Sequence, residues 1–67
     1  MNSWVIYAVA HETRDSVTAV VHDRATPTEA IDAALQRVSW QGGVDAYCYR
    51  VDDADKREVR IVRTVEV

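Results

Sequence analysis

The segment from Thr26 to Gly43, TPTEAIDAALQRVSWQGG, constrains the fold most, because it has the pattern of a helix with both ends marked. Thr26 and Glu29 fit a capping box, in which the threonine oxygen accepts from the N–H of residue 29 and Glu29 accepts from the N–H of Thr26. Pro27 stands at the first helical position, where its missing N–H costs nothing. Gly42 is the expected left-handed stop. We therefore predict a helix of roughly 15 residues, about 22 Å long.

One side of the predicted helix is apolar. The stripe follows the i, i+3, i+4, i+7 spacing and consists of Ile31, Ala34, Leu35 and Val38. Trp40 points away from this stripe if the helix continues to Gln41. Two interpretations of Trp40 stay open. Either the last turn frays and Trp40 folds under the chain, or Trp40 contacts a partner, since aromatic anchors are enriched at interfaces.

Four other segments have the composition of β-strands, namely Trp4–Ala10, Ser16–Asp23, Val44–Val51 and Arg57–Val67. The first, WVIYAVA, is apolar throughout, which predicts a central strand buried on both faces. The second and third alternate between apolar and polar residues, as half-exposed strands do. Arg63 interrupts the apolar alternation of the last, which predicts either a bulge or a strand end that leaves the core.

This order predicts an α+β domain of the ββαββ type, with one helix packed on one face of a four-stranded, mainly antiparallel sheet. With 67 residues, the chain from residue 1 to 67 is expected to form one domain. Two strand orders remain open: 2-1-3-4, fully antiparallel, and 2-1-4-3, with strands 1 and 4 parallel as in β-grasp domains. The first strand is interior in both.

A single helix covers one face of such a sheet, so the opposite face is left open. Alternation places on it Thr18, Val20, Tyr47, Tyr49 and Val62, with either Val5, Tyr7 and Val9 or Trp4 and Ile6. We expect a face of this kind to exceed the apolar patch that a soluble monomer usually exposes, unless charged residues divide it. Either it binds a partner, or it is broken up by His22, Arg50 and Arg60.

The sequence offers little for catalysis. Cys48 with His11 or His22 is the only thiol–imidazole set, and a cysteine in the middle of an apolar strand stays protonated and inert. The histidines, the cysteine and the Asp52–Asp55 turn lack metal-ligand spacing. We therefore expect no catalytic, cofactor or metal site. The apolar N-terminal run is too short for a signal peptide or a membrane span, so we expect a soluble, cytoplasmic protein without a membrane partner.

The charge distribution gives a stronger indication of what the protein binds. The net charge of −3 and the pI of about 5.1 argue against direct binding to nucleic acid. Six acidic and two basic residues lie between Glu29 and Asp55, whereas the chain from Lys56 onward is basic. This is either ordinary solubilising charge or an acidic surface that fits a basic groove on another protein.

The WVIYAVA strand, the lone TPTEAIDAALQRV helix and the Asp-rich segment from Asp45 to Asp55 resemble the small anti-CRISPR proteins of phages and mobile elements. Those directed at type I effector complexes are nearest in size and style. The resemblance implies a non-enzymatic inhibitor that binds a basic surface of a Cas effector subunit, with type I-C as the first subtype to consider. Carboxylates would stand in for DNA phosphates, although Arg60 and Arg63 count against a uniformly DNA-like surface.

The residues expected to contact the partner are Trp40, Asp45, Tyr47, Tyr49, Asp52, Asp53 and Asp55. The protein itself is expected to be a monomer or a weak homodimer in the cytoplasm of the bacterial host. The alternative is a homo-oligomeric structural or regulatory protein that pairs through its open sheet face or an edge strand.

Overall fold

The structure, a computed structural model, describes residues 2–65. Its elements follow the order β1 (Trp4–Ala10), β2 (Ser16–Val21), α1 (Pro27–Leu35), β3 (Gly42–Arg50) and β4 (Val59–Val65). The strands form one antiparallel sheet in the order β2-β1-β3-β4, and α1 packs on one face. The predicted ββαββ architecture is confirmed, in the fully antiparallel of its two strand orders. Glu66 and Val67, which were predicted to continue the last strand, lie outside the described residues.

The core lies between α1 and the sheet. Ala30, Ile31, Ala34 and Leu35 of α1 are buried there. The sheet contributes Trp4, Ile6, Ala8, Ala10, Val21, Val44, Ala46 and Cys48. Ala8 lies opposite Ala46 in the β1–β3 register, so the centre of the sheet is lined by small side chains and α1 lies close to it. Ile6 and Ile31 are the largest residues with no exposed surface, and truncating either to alanine would cost about 2–5 kcal/mol.

The helix begins where the sequence predicts and ends earlier. The Thr26 hydroxyl accepts from Glu29 N at 3.2 Å, whereas Glu29 Oε2 accepts from Ala25 N at 3.2 Å rather than from Thr26 N. The predicted extension to Gln41 is wrong, because α1 ends at Leu35 after nine residues. Gly42 is consequently the first residue of β3, where it has a φ of 88°, and not a helix stop. Among residues 2–65, no helix is long and apolar enough to cross a membrane.

The segment between α1 and β3 explains the shorter helix. Val38 and Trp40 both pack against the core, although neither is helical. The apolar residues after Leu35 are therefore packed against the core although they lie in an irregular segment and not in the helix. The helical spacing of Val38 was a misleading signal, because burial alone does not require a helix.

Two further predictions about the strands were wrong. β1 is central, but only its α1 side is buried; on the other side Val5 and Val9 are half-buried, and Tyr7 is 43% exposed. β4 contains no bulge and stays paired with β3 from Val59 to Val65. Arg63 keeps the alternation on the α1 side, where its Nη2 lies 2.8 Å from Oδ1 of Asp32 on the helix. An ion pair between the layers thus explains the arginine among apolar positions.

Candidate functional site

The candidate functional site is the sheet face opposite α1, called the uncovered face below. It consists of Val5, Tyr7, Val9, Thr18, Val20, Asp45, Tyr47, Tyr49, Arg60 and Val62. The five residues that alternation placed on this face are confirmed there. β1 contributes Val5, Tyr7 and Val9, because Trp4 and Ile6 belong to the core.

An apolar and aromatic band crosses the middle of the uncovered face. Tyr7 lies opposite Tyr47, and their ring centroids are 6.3 Å apart with the planes inclined at 31°. Val5 lies between Val20 and Tyr49 in the two adjoining registers. Such cross-strand pairs stabilise a sheet, and here they also form one continuous surface across β2, β1 and β3. The band is supported by backbone pairing along its whole width, so it is rigid.

A polar cluster of Asp45, His11 and Arg60 borders this band. Asp45 Oδ1 accepts from Arg60 Nη2 at 3.0 Å, and its Oδ2 lies 3.1 Å from His11 Nε2. Partial desolvation acts to raise the pKa of Asp45, but the hydrogen bonds and positive charges of Arg60 and His11 outweigh it and hold this pKa below its usual value. The hydrogen bond with Asp45 raises the pKa of Arg60, with a further contribution from Tyr47.

Gly43 makes room for this cluster. A Cβ added at Gly43 would overlap the imidazole of His11, whose backbone N–H donates to the Gly43 carbonyl at 2.9 Å. The ring therefore lies directly over the glycine, on the uncovered face. The absence of a side chain at residue 43 is what lets His11 reach Asp45.

The other predicted carboxylates lie in the connection between β3 and β4. Asp52 Oδ2 accepts from Arg50 Nη2 at 2.9 Å. Asp53 accepts from the N–H groups of Asp55 and Arg57 at 3.0 and 3.4 Å, and from Arg57 Nε at 3.2 Å. Desolvation acts to raise the pKa of Asp53, yet these bonds and the charge of Arg57 lower it. Asp53 therefore organises the turn.

The structure divides the predicted acidic segment into two patches. Asp45 and Arg50 are five residues apart on β3, which corresponds to roughly 17 Å at the usual rise of a strand. Three of the four carboxylates are paired with arginines, and only Asp55 makes no ion pair within residues 2–65. The segment is thus a mixed acidic and basic surface and not an unbroken row of free carboxylates.

Trp40 lies away from these residues. It is half-buried and packs against the core between α1 and the sheet. Its remaining surface lines a cleft of about 490 Å³ with Leu35, Val38 and Val65, next to the Asp32–Arg63 ion pair. Of the seven predicted contact residues, the structure brings together Asp45, Tyr47 and Tyr49, and it places the rest elsewhere.

Reactive groups are few in the described part of the chain. Cys48 has no exposed surface, and burial raises the pKa of its thiol to about 11, so the thiol is protonated at neutral pH. Residues 2–65 contain no group of three or more histidine, cysteine, aspartate or glutamate side chains placed to hold a metal ion.

Sequence reasoning did not identify Tyr7, His11 and Arg60 as members of one site with Asp45 and Tyr47. The signal was present in the fully antiparallel strand order, which places residues 7, 47 and 60 in one row across β1, β3 and β4. Comparisons of this chain with protein-family models, curated proteins and solved structures identify no match.

Proposed function

We propose that this chain is a non-enzymatic inhibitor that binds a subunit of a type I CRISPR–Cas effector through its uncovered face and blocks target DNA binding. The observation that carries the proposal is the rigid aromatic band around Tyr7 and Tyr47, bordered by charged side chains. With this partner, the protein acts in the cytoplasm of the bacterial host.

The uncovered face has the composition of a protein interface. Interfaces combine an apolar centre containing aromatic anchors with a polar rim. Here Tyr7 and Tyr47 occupy the centre, and Asp45 with Arg60 lies at the border. Because the residues are held on paired strands, little backbone freedom is lost when a partner binds, which favours affinity.

The charges favour a protein–protein mode of inhibition over continuous imitation of DNA. Arg50, Arg57 and Arg60 neutralise carboxylates that would otherwise resemble phosphates. The net charge of −3 still favours approach to a basic subunit. Asp55, which is exposed in the connection between β3 and β4, supplies a free carboxylate for contact with such a subunit.

The test is a DNA-binding assay with a purified type I effector, beginning with type I-C. Addition of the chain is expected to prevent binding of target DNA. Tyr47→Ala is expected to weaken inhibition by about tenfold or more, since central aromatic anchors contribute most to binding. Gln36→Ala is the matched control. Gln36 is exposed, but it directly follows the last residue of α1 and is not part of the uncovered face.

Two results would contradict this proposal. The first is unchanged DNA binding by type I effectors at saturating concentrations of the chain. The second is equal inhibition by the native chain and the Tyr47→Ala variant, which would exclude the uncovered face as the contact surface. Asp55→Lys tests whether the acidic turn also contributes to inhibition. Weaker inhibition by this variant would assign a role to that turn.

A second candidate function is a structural protein that pairs the uncovered faces of two copies. It is favoured by the exposure of Val62 (58%) and Tyr7 (43%), which a face-to-face dimer would cover. Tyr47→Glu would bury two carboxylates in such an interface and break the dimer. If light scattering shows the same mass for the native chain and for Tyr47→Glu, a face-to-face dimer is excluded.

A further inference from the structure

We propose that the β4 edge pairs with β4 of a second copy, antiparallel about Val62, to form a continuous eight-stranded sheet. This inference does not rest on the function proposed above, because edge pairing leaves the uncovered face of each copy open. It follows from a difference between the two edges of the sheet and from the residue order of β4.

The two edge strands differ in whether side chains cover their free backbone groups. On β2, Arg37 Nη1 donates to the Val20 carbonyl at 3.4 Å, so a side chain covers part of that edge. Within residues 2–65, no side chain hydrogen-bonds to the backbone of β4. β4 contains no proline, lysine or bulge, and its two arginines, Arg60 and Arg63, are each held by a carboxylate of their own chain. The backbone groups of this edge are therefore open to another strand.

The residue order of β4 is complementary to itself. Val62 is the midpoint of Val59–Val65, so a two-fold axis through it pairs all seven residues. In this register Arg60 faces Thr64, Arg63 faces Ile61, and Val59 faces Val65. No arginine lies opposite another arginine, whereas registers centred on Arg60 or Arg63 would place like charges directly opposite each other.

Charge and exposure support the same register. Arg60 and Arg63 are each paired within their own chain, with Asp45 at 3.0 Å and Asp32 at 2.8 Å, so the edge carries little uncompensated charge. Val59 and Val62 are 42% and 58% exposed and would gain apolar neighbours. An axis normal to the sheet places both helices on one side and both uncovered faces on the other.

The experiment is sedimentation velocity from micromolar to millimolar concentration on three chains. The native chain is expected to show a monomer–dimer equilibrium. Val62→Lys, which places two ammonium groups opposite each other at the axis, is expected to raise the dissociation constant about tenfold or more. Val20→Lys is the matched control: it makes the same change on the same face, at the β2 edge, and should leave the constant unchanged.

Three outcomes would overturn the proposal: a native chain that stays monomeric throughout, a Val62→Lys chain that dimerises as well as the native one, or equal weakening by the two lysines. The last result would indicate a face-to-face dimer. The readout is self-association alone, so it does not depend on whether any effector is inhibited.

A second variant covers the case in which Val62→Lys fails to fold. Opposite residues in an antiparallel pair have Cα atoms about 4.5–5.5 Å apart, which suits a disulfide. Val62→Cys should therefore form a covalent dimer under mild oxidation, while Val20→Cys should not. The native Cys48 is buried and does not compete. Equal cross-linking of the two variants would contradict the register.

Discussion

The imidazole of His11 occupies the space that a side chain on Gly43 would need. The backbone N–H of His11 donates to the Gly43 carbonyl, and the ring continues to Asp45, 3.1 Å from His11 Nε2. The glycine therefore contributes to the uncovered face by having no side chain. One pair of residues joins the end of β1 to the start of β3 and sets the position of the polar cluster.

Gly43→Ala is expected to lower the free energy of unfolding by about 1–3 kcal/mol, because the added methyl group displaces the His11 ring. Urea denaturation measures the change. In a His11→Ala background the same substitution should cost less, since the obstacle has been removed. An equal cost in both backgrounds would show that the backbone, and not the imidazole, disfavours alanine at this position.

The Asp32–Arg63 ion pair is expected to show the behaviour of a partly exposed charge pair between α1 and β4. Arg63→Ala should cost no more than about 1 kcal/mol. Arg63→Asp should cost more, because it places two carboxylates together, and adding Asp32→Arg should recover part of that loss. Thermal or urea unfolding of the native chain, Arg63→Asp, Asp32→Arg and the double variant gives the coupling. A charge-swapped chain no more stable than Arg63→Asp would refute a direct interaction.

Acid is expected to destabilise the protein through Asp45 and Asp53. Both have a lower pKa in the folded chain than in the unfolded chain, so the folded state binds fewer protons. The stability that these two carboxylates contribute should be fully present above about pH 5 and should fall as the pH drops toward their folded-state pKa values. Urea midpoints measured across this range provide the test.

Asp45→Asn and Asp53→Asn should each make the native dependence on pH less steep, because each removes one of these carboxylates. The Asp45 variant also separates Arg60 from its carboxylate. A slope identical to that of the native chain in either variant would argue against the contribution of that residue.

Cys48 is expected to resist thiol reagents in the native protein. Its side chain is fully buried, and its pKa is raised to about 11, so almost no thiolate is present near pH 8. Ellman's reagent should react only as fast as the chain opens. In denaturant one thiol per chain should react at once, since the sequence contains one cysteine. Rapid reaction of the native protein would contradict the burial of Cys48.

The fold could be predicted well from the sequence because local signals agreed. Thr26 and Pro27 marked the start of α1, and alternation placed Tyr47 and Tyr49 on the face opposite Cys48. The end of α1 could not be predicted. Val38 has helical spacing, but it packs against the core from a turn after α1, where its N–H donates to the Leu35 carbonyl at 3.3 Å. Tertiary packing, and not local spacing, therefore determines where α1 ends.

The site was predicted only in part, because its members meet through register. Asp45 and Arg60 are neighbours only when β4 pairs with β3 at this offset, and two strand orders were compatible with the sequence. The alternation of β4 marked Arg63 as an interruption, whereas its partner Asp32 lies on another layer. Ion pairs between distant segments leave no local pattern from which they could be recognised.

The central place of β1 also determines how the chain assembles during synthesis. The first 21 residues contain β1 and its hairpin partner β2, so this pair forms from contacts close in sequence. The other edge of β1 has no partner until β3, at residues 42–50, has emerged from the ribosome. Before β3 is available, the most apolar strand of the protein has one unpaired edge, and unpaired strand edges favour aggregation.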